Sequence, residues 1–290
     1  MTVRRRPVYT LRLRSRPWIL GDRTQIMGIV NVTPDSFSDG GICYEPDAAL
    51  LHARRLIEEG ADILDIGGES TRPFSDPVPL QEEIERVVPL IRRIREFSDI
   101  PISIDTTKAE TARRALEAGA DMVNDVSALG FDPEMASVAA ETRVPLIVMH
   151  MLGTPKTMQQ SPRYDSLFSE IVAFLEERIR FALERGVERS QIIVDPGIGF
   201  GKSVDHNLRL VRDLDVFHVL ERPVLFGASR KRFIGTVLDR PPQEREVGTA
   251  VVNTFAAAAG AHIVRVHDVG FHRQAAAMAD AVVRGAWSTP

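Results

Sequence analysis

The chain has 290 residues, 44% of them hydrophobic and 26% charged, with 20 Gly and 18 Pro. This is the make-up of a globular protein that can bury a large core without staples, and it excludes a disordered or fibrous chain. A net charge of −4 argues against non-specific nucleic-acid binding, the single Cys43 excludes an internal disulfide and a cysteine-built zinc site, and no apolar run reaches membrane-spanning length.

The first sixteen residues carry six arginines (Arg4, Arg5, Arg6, Arg12, Arg14 and Arg16) and no acid. Thr10-Leu11-Arg12-Leu13-Arg14 alternates apolar and polar residues, which predicts an exposed β-hairpin; a targeting segment or a basic contact surface are the alternatives. Residues 1–24 are therefore expected to form an N-terminal hairpin arm and 25–290 a single domain. From Gln25 onward short apolar runs alternate with helix-like stretches. The runs cover residues 26–30, 63–66, 102–104, 122–123, 146–149, 192–194, 224–226 and 263–266. Between and after them, 47–59, 80–97, 109–118, 167–185 and 271–284 show helical spacing of apolar residues, and several end in a glycine stop at Gly60, Gly119 or Gly186. Glu59-Gly60-Ala61-Asp62 and Ala118-Gly119-Ala120-Asp121 repeat one helix-to-strand junction. Eight β/α units with continuously apolar strands predict an α/β fold, a (β/α)8 TIM barrel with a short N-terminal β-hairpin. An open doubly wound sheet is the competitor, but the first turn, Asn31-Val32-Thr33-Pro34-Asp35, lacks its glycine fingerprint.

In a barrel, residues at the carboxyl ends of the strands build the active site. Here these are Asn31, Gly67-Gly68-Glu69, Asp105, Asn124-Asp125, Met149-His150, Asp195, Gly227 and Arg265-Val266-His267. Helix or turn capping accounts for one or two of them, Asp105 and Asp125 being the obvious cases, but not for eight. Asp105, Asn124, Asp195 and Lys231 suit a flat heterocycle with a guanidine-like edge, whose parallel N–H groups a carboxylate can accept. Arg265, His267 and Arg72 suit phosphate oxygens. Loops 31–41 and 69–80 are long and rich in Pro and Ser, each with one aromatic (Phe37, Phe74), and are expected to be mobile. Gly197-Ile198-Gly199-Phe200-Gly201-Lys202-Ser203 looks like a phosphate loop, but Pro196 stands where its first glycine is needed. No paired-histidine zinc spacing occurs, and no nucleophile–base pair is evident.

Asn31-Val32-Thr33-Pro34-Asp35-Ser36-Phe37-Ser38-Asp39-Gly40-Gly41 and Asp65-Ile66-Gly67-Gly68-Glu69-Ser70-Thr71-Arg72-Pro73 resemble the two long signatures of the dihydropteroate synthases. Ser103-Ile104-Asp105-Thr106, Val123-Asn124-Asp125-Val126, Met149-His150-Met151, Asp195 to Lys202, Ser229-Arg230-Lys231 and Arg265-Val266-His267-Asp268 follow in the family's order, from about Gln25 to Asp268. Phe74 departs from the family, which often has glycine there. The resemblance implies condensation of 6-hydroxymethyl-7,8-dihydropterin pyrophosphate with para-aminobenzoate, giving dihydropteroate and pyrophosphate, with Mg²⁺ as cofactor and sulfonamides as competitors. It implies catalytic roles for Asp105, Lys231, Asp35 and Arg72, and a pterin site of Asp105, Asn124, Met149, Asp195 and Lys231. Asn31, Thr71, Arg72, Arg265 and His267 would hold pyrophosphate, with Asn31 also the metal ligand. Phe37, Pro73, Phe200, Ser229 and Arg232 would receive para-aminobenzoate. A cytoplasmic homodimer acting on small molecules, with no nucleic-acid or membrane partner, is expected. A corrinoid-linked methyltransferase shares the barrel and pterin carboxylates but has no use for Thr71-Arg72 or Arg265-Val266-His267. A non-catalytic pterin sensor need not keep Asp35, Phe37 or Arg72.

Overall fold

A computed structural model of the chain describes residues 6–14, 16–32, 46–70 and 76–285. An antiparallel hairpin, β1 (Tyr9–Arg12) and β2 (Pro17–Leu20), opens it, with Tyr9 opposite Leu20 and Arg12 opposite Pro17. Eight parallel strands follow: β3 (Gln25–Asn31), β4 (Ile63–Gly67), β5 (Ile102–Asp105), β6 (Met122–Asp125), β7 (Leu146–Met149), β8 (Ile192–Asp195), β9 (Leu225–Phe226) and β10 (Ile263–Val266). Each of β3 to β7 pairs with the next, β10 joins β9 to β3, and a bridge from Val194 to Val224 links β8 to the start of β9. The ring is thereby closed. Around it stand α1 (Pro46–Glu58), α2 (Leu80–Arg95), α3 (Ala109–Ala118), α4 (Met135–Thr142), α5 (Leu167–Glu184), α6 (Val204–Arg212), α7 (Arg232–Leu238), α8 (Glu246–Ala258) and α9 (Val269–Arg284).

The eight apolar runs become strands because both of their faces are buried. One face, including Ile26, Leu64, Ile104, Val123, Val148 and Val194, packs outward against the helices. The other begins with Met27, Ile63, Met122, Ile147, Ile193, Leu225 and Ile263, which fill the base of the barrel. Side chains alternate along a strand, so the residue two places on from each of these also points inward, one layer higher. That second layer reads Ile29, Asp65, Asn124, Met149, Asp195, Gly227 and Arg265, and Asp105 takes its place two residues beyond the inward Ser103. An apolar base under a polar layer follows from the sequence period alone.

The repeated helix-to-strand junction has one physical basis. Gly119 takes φ +125°, which lets the chain leave α3, and its amide donates back to Ala115 and Leu116 carbonyls. Two residues on, Asp121 accepts from the Ile102 amide at 2.9 Å and pairs with Arg95 at 2.5 Å. Asp62 does the same for the Ile26 amide at 2.8 Å and for Arg23 at 2.6 Å. Each aspartate thus satisfies an amide at the start of the neighbouring strand, which the ladder leaves over.

The hairpin differs from expectation in one respect. Its outer residues are exposed, but Leu11, Leu13 and Leu20 are buried against Met27, Ile63, Met122 and Ile193. It is a plug for the open base of the barrel, and burying those leucines outweighs the loss of a free hairpin's solvation. Nearby, Asp280 of α9 accepts from the Thr24 amide at 2.7 Å and the Thr24 hydroxyl at 2.8 Å, and it pairs with Arg6. Among the described residues no helix is long and apolar enough to cross a membrane.

Candidate active site

The polar layer holds four acidic or amide side chains, Asp65, Asp105, Asn124 and Asp195, together with one arginine. Arg265 lies among them, its Nε donating to Asp65 Oδ2 at 2.5 Å and its Nη2 to Asp105 Oδ2 at 2.9 Å. Asn124 Nδ2 donates to both Asp65 oxygens at 3.3 and 3.4 Å. Asp65 is fully buried, and its charge is tolerable only because this cation and this amide face it. Asp105 Oδ1, by contrast, is buried and accepts no hydrogen bond from the described residues. Burial and the Asp65 charge raise its pKa, while Arg265 pulls the other way. It is an acceptor waiting for a donor.

Asp195 stands across the mouth, and its Oδ1 accepts from the Gly197 amide at 2.7 Å. Gly197 must be glycine: φ is +67°, and a Cβ would lie 1.8 Å from the His150 carbonyl oxygen. Burial raises the Asp195 pKa, partly offset by Lys231. Burial pulls the Lys231 ammonium down to about 7, against the opposing charge of Asp195. Its Nζ donates to the Ile198 carbonyl and lies 4.2 Å from the centre of the Phe200 ring. Phe200 in turn packs on Met149, Met151, Met158 and Val126, a soft apolar wall beside the carboxylates.

Above this layer opens a cavity of about 920 Å³, lined by Asn31, Phe200, Ser229, Lys231, Arg265 and His267 among others. Arg232, exposed at the start of α7, also borders it. Asn31 ends β3 half-buried. Ser229 Oγ and His267 Nδ1 lie 2.9 Å apart, and the His267 amide donates to the same hydroxyl at 3.2 Å. A serine–histidine contact is thus present where none was evident from the sequence, because strand β10 and the segment after β9 meet only in the closed barrel.

Of the expected residues, the fold brings Asn31, Asp105, Asn124, Met149, Asp195, Phe200, Ser229, Lys231, Arg232, Arg265 and His267 to this one mouth. Asp35, Phe37, Thr71, Arg72, Pro73 and the divergent Phe74 lie outside the described residues. Asp125 does serve as a cap: its side chain is fully buried, faces away from the mouth and accepts from the Ser127 and Leu129 amides at 2.8 Å each. The Lys108 amide, which Asp105 might have capped, takes Thr106 Oγ1 at 3.2 Å instead.

Three participants had no role assigned from the sequence. Asp65 shares the inward period of β4 but stands ahead of the strand's end. Lys202 is 3% exposed; its Nζ is 2.9 Å from His150 Nδ1 and donates to the Phe200 carbonyl at 3.0 Å. Burial drives the Lys202 pKa well down, with Asp195 pulling the other way, and burial lowers that of His150 to about 2. Glu69, finally, is held by Lys108 at 2.5 Å and accepts from the Val78 amide at 3.0 Å; Lys108 also binds the buried Glu83 at 2.6 Å.

Comparison with known proteins finds similar chains of one kind. Residues 27–267 match the family model described as pterin binding enzyme. A dihydropteroate synthase from Synechocystis is 50% identical over 265 residues, covering 91% of this chain and 92% of its own. Among solved structures, a Yersinia pestis dihydropteroate synthase with a sulfonamide drug complex superposes with a TM-score of 0.90 at 42% identity, covering 96% of this chain and 100% of its own. One from Xanthomonas albilineans with 4-aminobenzoic acid gives 0.89 at 45% identity, covering 95% and 98%.

Proposed function

The chain belongs to the dihydropteroate synthase family, a transferase that joins a dihydropterin to para-aminobenzoate, and from that premise we propose which residues carry the reaction and how. The observation that carries the reading is the unpartnered Asp105 Oδ1, in one layer with Asp195 and Asn124 beneath a roomy cavity with cationic walls. Two carboxylates and an amide suit the donors of an amino-pyrimidine, so Asp195 and Asn124 grip that edge of the pterin. Asp105 accepts from the dihydro ring, and Lys231 donates to the ring carbonyl. Met149 and Phe200 form the apolar walls.

The bond from the exocyclic methylene to the pyrophosphate oxygen breaks, and its electron pair leaves with pyrophosphate. Ring electrons stabilise the cation so formed, and Asp105 stabilises it further in its ionised form, which burial and Asp65 disfavour until that positive charge develops. The arylamine nitrogen then attacks the methylene and gives up its proton. A neutral arylamine needs no strong base, so the Ser229–His267 contact works as an anchor for anionic groups and not as a nucleophile with its base. Arg265, His267, Asn31, Thr71 and Arg72 hold the pyrophosphate. Phe37, Pro73, Ser229 and Arg232 receive the benzoate, and Asp35 assists from its loop.

Mg²⁺ fits this donor set in one way only. Among the described residues no group of three His, Cys, Asp or Glu could hold an ion. Mg²⁺ characteristically takes most of its ligands from substrate phosphates and water, so Asn31 suffices as a neutral oxygen donor from the protein. When bound, the ion neutralises charge on the leaving pyrophosphate. The partners are small molecules, with a second copy of the chain as the one macromolecule. Val247, Val251 and Phe255 expose 69%, 51% and 46% of their surface along α8, an apolar stripe that a homodimer would cover.

The reading is tested by pyrophosphate release: it should depend on para-aminobenzoate, and release without the arylamine would contradict it. A second expectation concerns pH. Lys231 loses its proton near pH 7 in the free protein, so pterin affinity should fall as pH rises through that value. Calorimetry between about pH 6 and 9 should show this limb, and Lys231→Arg should remove it, because a guanidinium stays charged. A flat profile would take Lys231 out of the pterin contact.

A further inference from the structure

The opposite end of the barrel has a second cavity, of about 470 Å³, between the hairpin plug and the connections around β7 and β8. Four arginines border it: Arg12, Arg14 and Arg16 from the hairpin, and Arg143 from the end of α4. We propose that this floor cavity is an anion site that binds a linear polyphosphate, free or as the tail of a nucleotide.

Charge supplies the first reason. None of the four arginines forms an ion pair among the described residues; Arg14 Nη1 reaches only the Leu116 carbonyl, at 3.5 Å. Two carboxylates lie near, and both are committed. Glu188 is engaged in a capping box with Gln191 and accepts from the Ser190 hydroxyl at 3.4 Å. Asp121 faces Arg14 and Arg16, but it is bound to Arg95 and to the Ile102 amide. Four like charges held around one concavity repel one another, and an anion entering it removes that repulsion.

Construction supplies the second. The arginines come from two separate parts of the chain, and the wall between them is braced. Gln191 is buried, and its Nε2 donates to the Ala139 and Val144 carbonyls at 3.0 and 2.7 Å, on either side of Arg143. Arg143 itself takes the left-handed conformation at φ 55°, with its amide on the Ala139 carbonyl at 3.0 Å. An arginine is a costly residue at that position, where glycine or asparagine is usual. Leu11 and Leu13, adjoining Arg12 and Arg14, are anchored in the barrel base, which limits how far the hairpin arginines can stray.

Ligand class follows from the donors. Guanidinium groups bind phosphate oxygens through two parallel N–H bonds, and four of them offer more donors than one phosphate can accept. A chain of two or three phosphates uses them, and the volume lies within the range of small-ligand sites. The anion would bridge the plug and the barrel, so its binding would stabilise the fold by mass action.

The test is calorimetry of the full chain with inorganic triphosphate and, separately, ATP without metal. Saturable binding below about 1 mM is expected. Arg143→Ala and Arg16→Ala should each weaken it by about tenfold or more, whereas His267→Ala, at the catalytic mouth, should leave that component unchanged. Arg143→Lys should fall between, keeping charge but losing the fork. Equal affinities for triphosphate and ATP would identify the phosphates alone as the ligand; tighter ATP binding would add the nucleoside. Arg16 is exposed on the hairpin turn, so Arg16→Ala remains informative if Arg143→Ala does not fold. Three results would overturn the proposal: no saturable heat, affinity unchanged in both floor variants, or loss in His267→Ala of the same component that Arg143→Ala and Arg16→Ala weaken. A short RNA bound more tightly than triphosphate, and sensitive to the same arginines, would also overturn it.

Discussion

Replacing Arg265 by methionine should destabilise the folded chain by about 3–5 kcal/mol. The guanidinium is the cation that Asp65 and Asp105 share, at 2.5 and 2.9 Å, and Asp65 has no exposed surface. Methionine keeps the apolar stem but leaves two carboxylates facing each other in a dry layer. Denaturant titration should show the midpoint falling with little change in slope. Adding Asp65→Asn to the Arg265→Met protein should restore part of the loss, because the uncompensated charge is then gone. A loss below about 1 kcal/mol would mean that another group balances the pair. Sequence reading assigns Arg265 to the pyrophosphate alone, and the structure adds this second duty. Pyrophosphate affinity should therefore be compared in Arg265→Met with a phosphate-free pterin as control, under conditions where the variant is folded.

Asp195→Asn should separate binding from stability. The asparagine carbonyl can still accept from the Gly197 amide, as Asp195 Oδ1 does at 2.7 Å, so the strand end keeps its shape. Its other face now presents an N–H₂ group to the donors of the pterin. Losing a charged, bidentate contact and opposing donor to donor should weaken pterin binding by about 2–4 kcal/mol. The melting temperature should hold or rise, since burial already disfavours the Asp195 charge and asparagine carries none. Unchanged pterin affinity by calorimetry would show that Asp195 is not the pterin anchor.

How legible the molecule was in its sequence depended on range. Strands declared themselves because both faces are apolar, and the glycine stops at Gly60, Gly119 and Gly186 each adopt positive φ. Most of the mouth followed from taking the residue at each strand end. Asp65 escaped that reading because β4 runs on to Gly67, and its inward position appears only when side-chain alternation is counted from Ile63. Lys202 and His150 are distant in sequence and each looks unremarkable; only the folded loop after β8 shows that they meet. The hairpin's periodicity predicted strands but could not say that its leucines seal the barrel, because their partners come from distant strands such as β3, β4, β6 and β8. Chemistry that resides in one segment could be read. Chemistry that arises between segments could not.

Closure of the ring also bears on how the chain comes off the ribosome. Strand β3, the first of the eight to be made, has β10, the last of the eight, as one of its two neighbours, with Gln25 beside Ile263. Asp280 ties α9 back to Thr24 and Arg6. Until β10 emerges, β3 has an unpaired edge flanked by apolar side chains, the kind of surface that templates pairing with another chain. Contacts of such long sequence separation make folding slow and leave nascent intermediates open to aggregation. Truncation just before β10 should therefore yield an insoluble product and not a smaller, stable barrel. The last strand of the ring is the latch for the first.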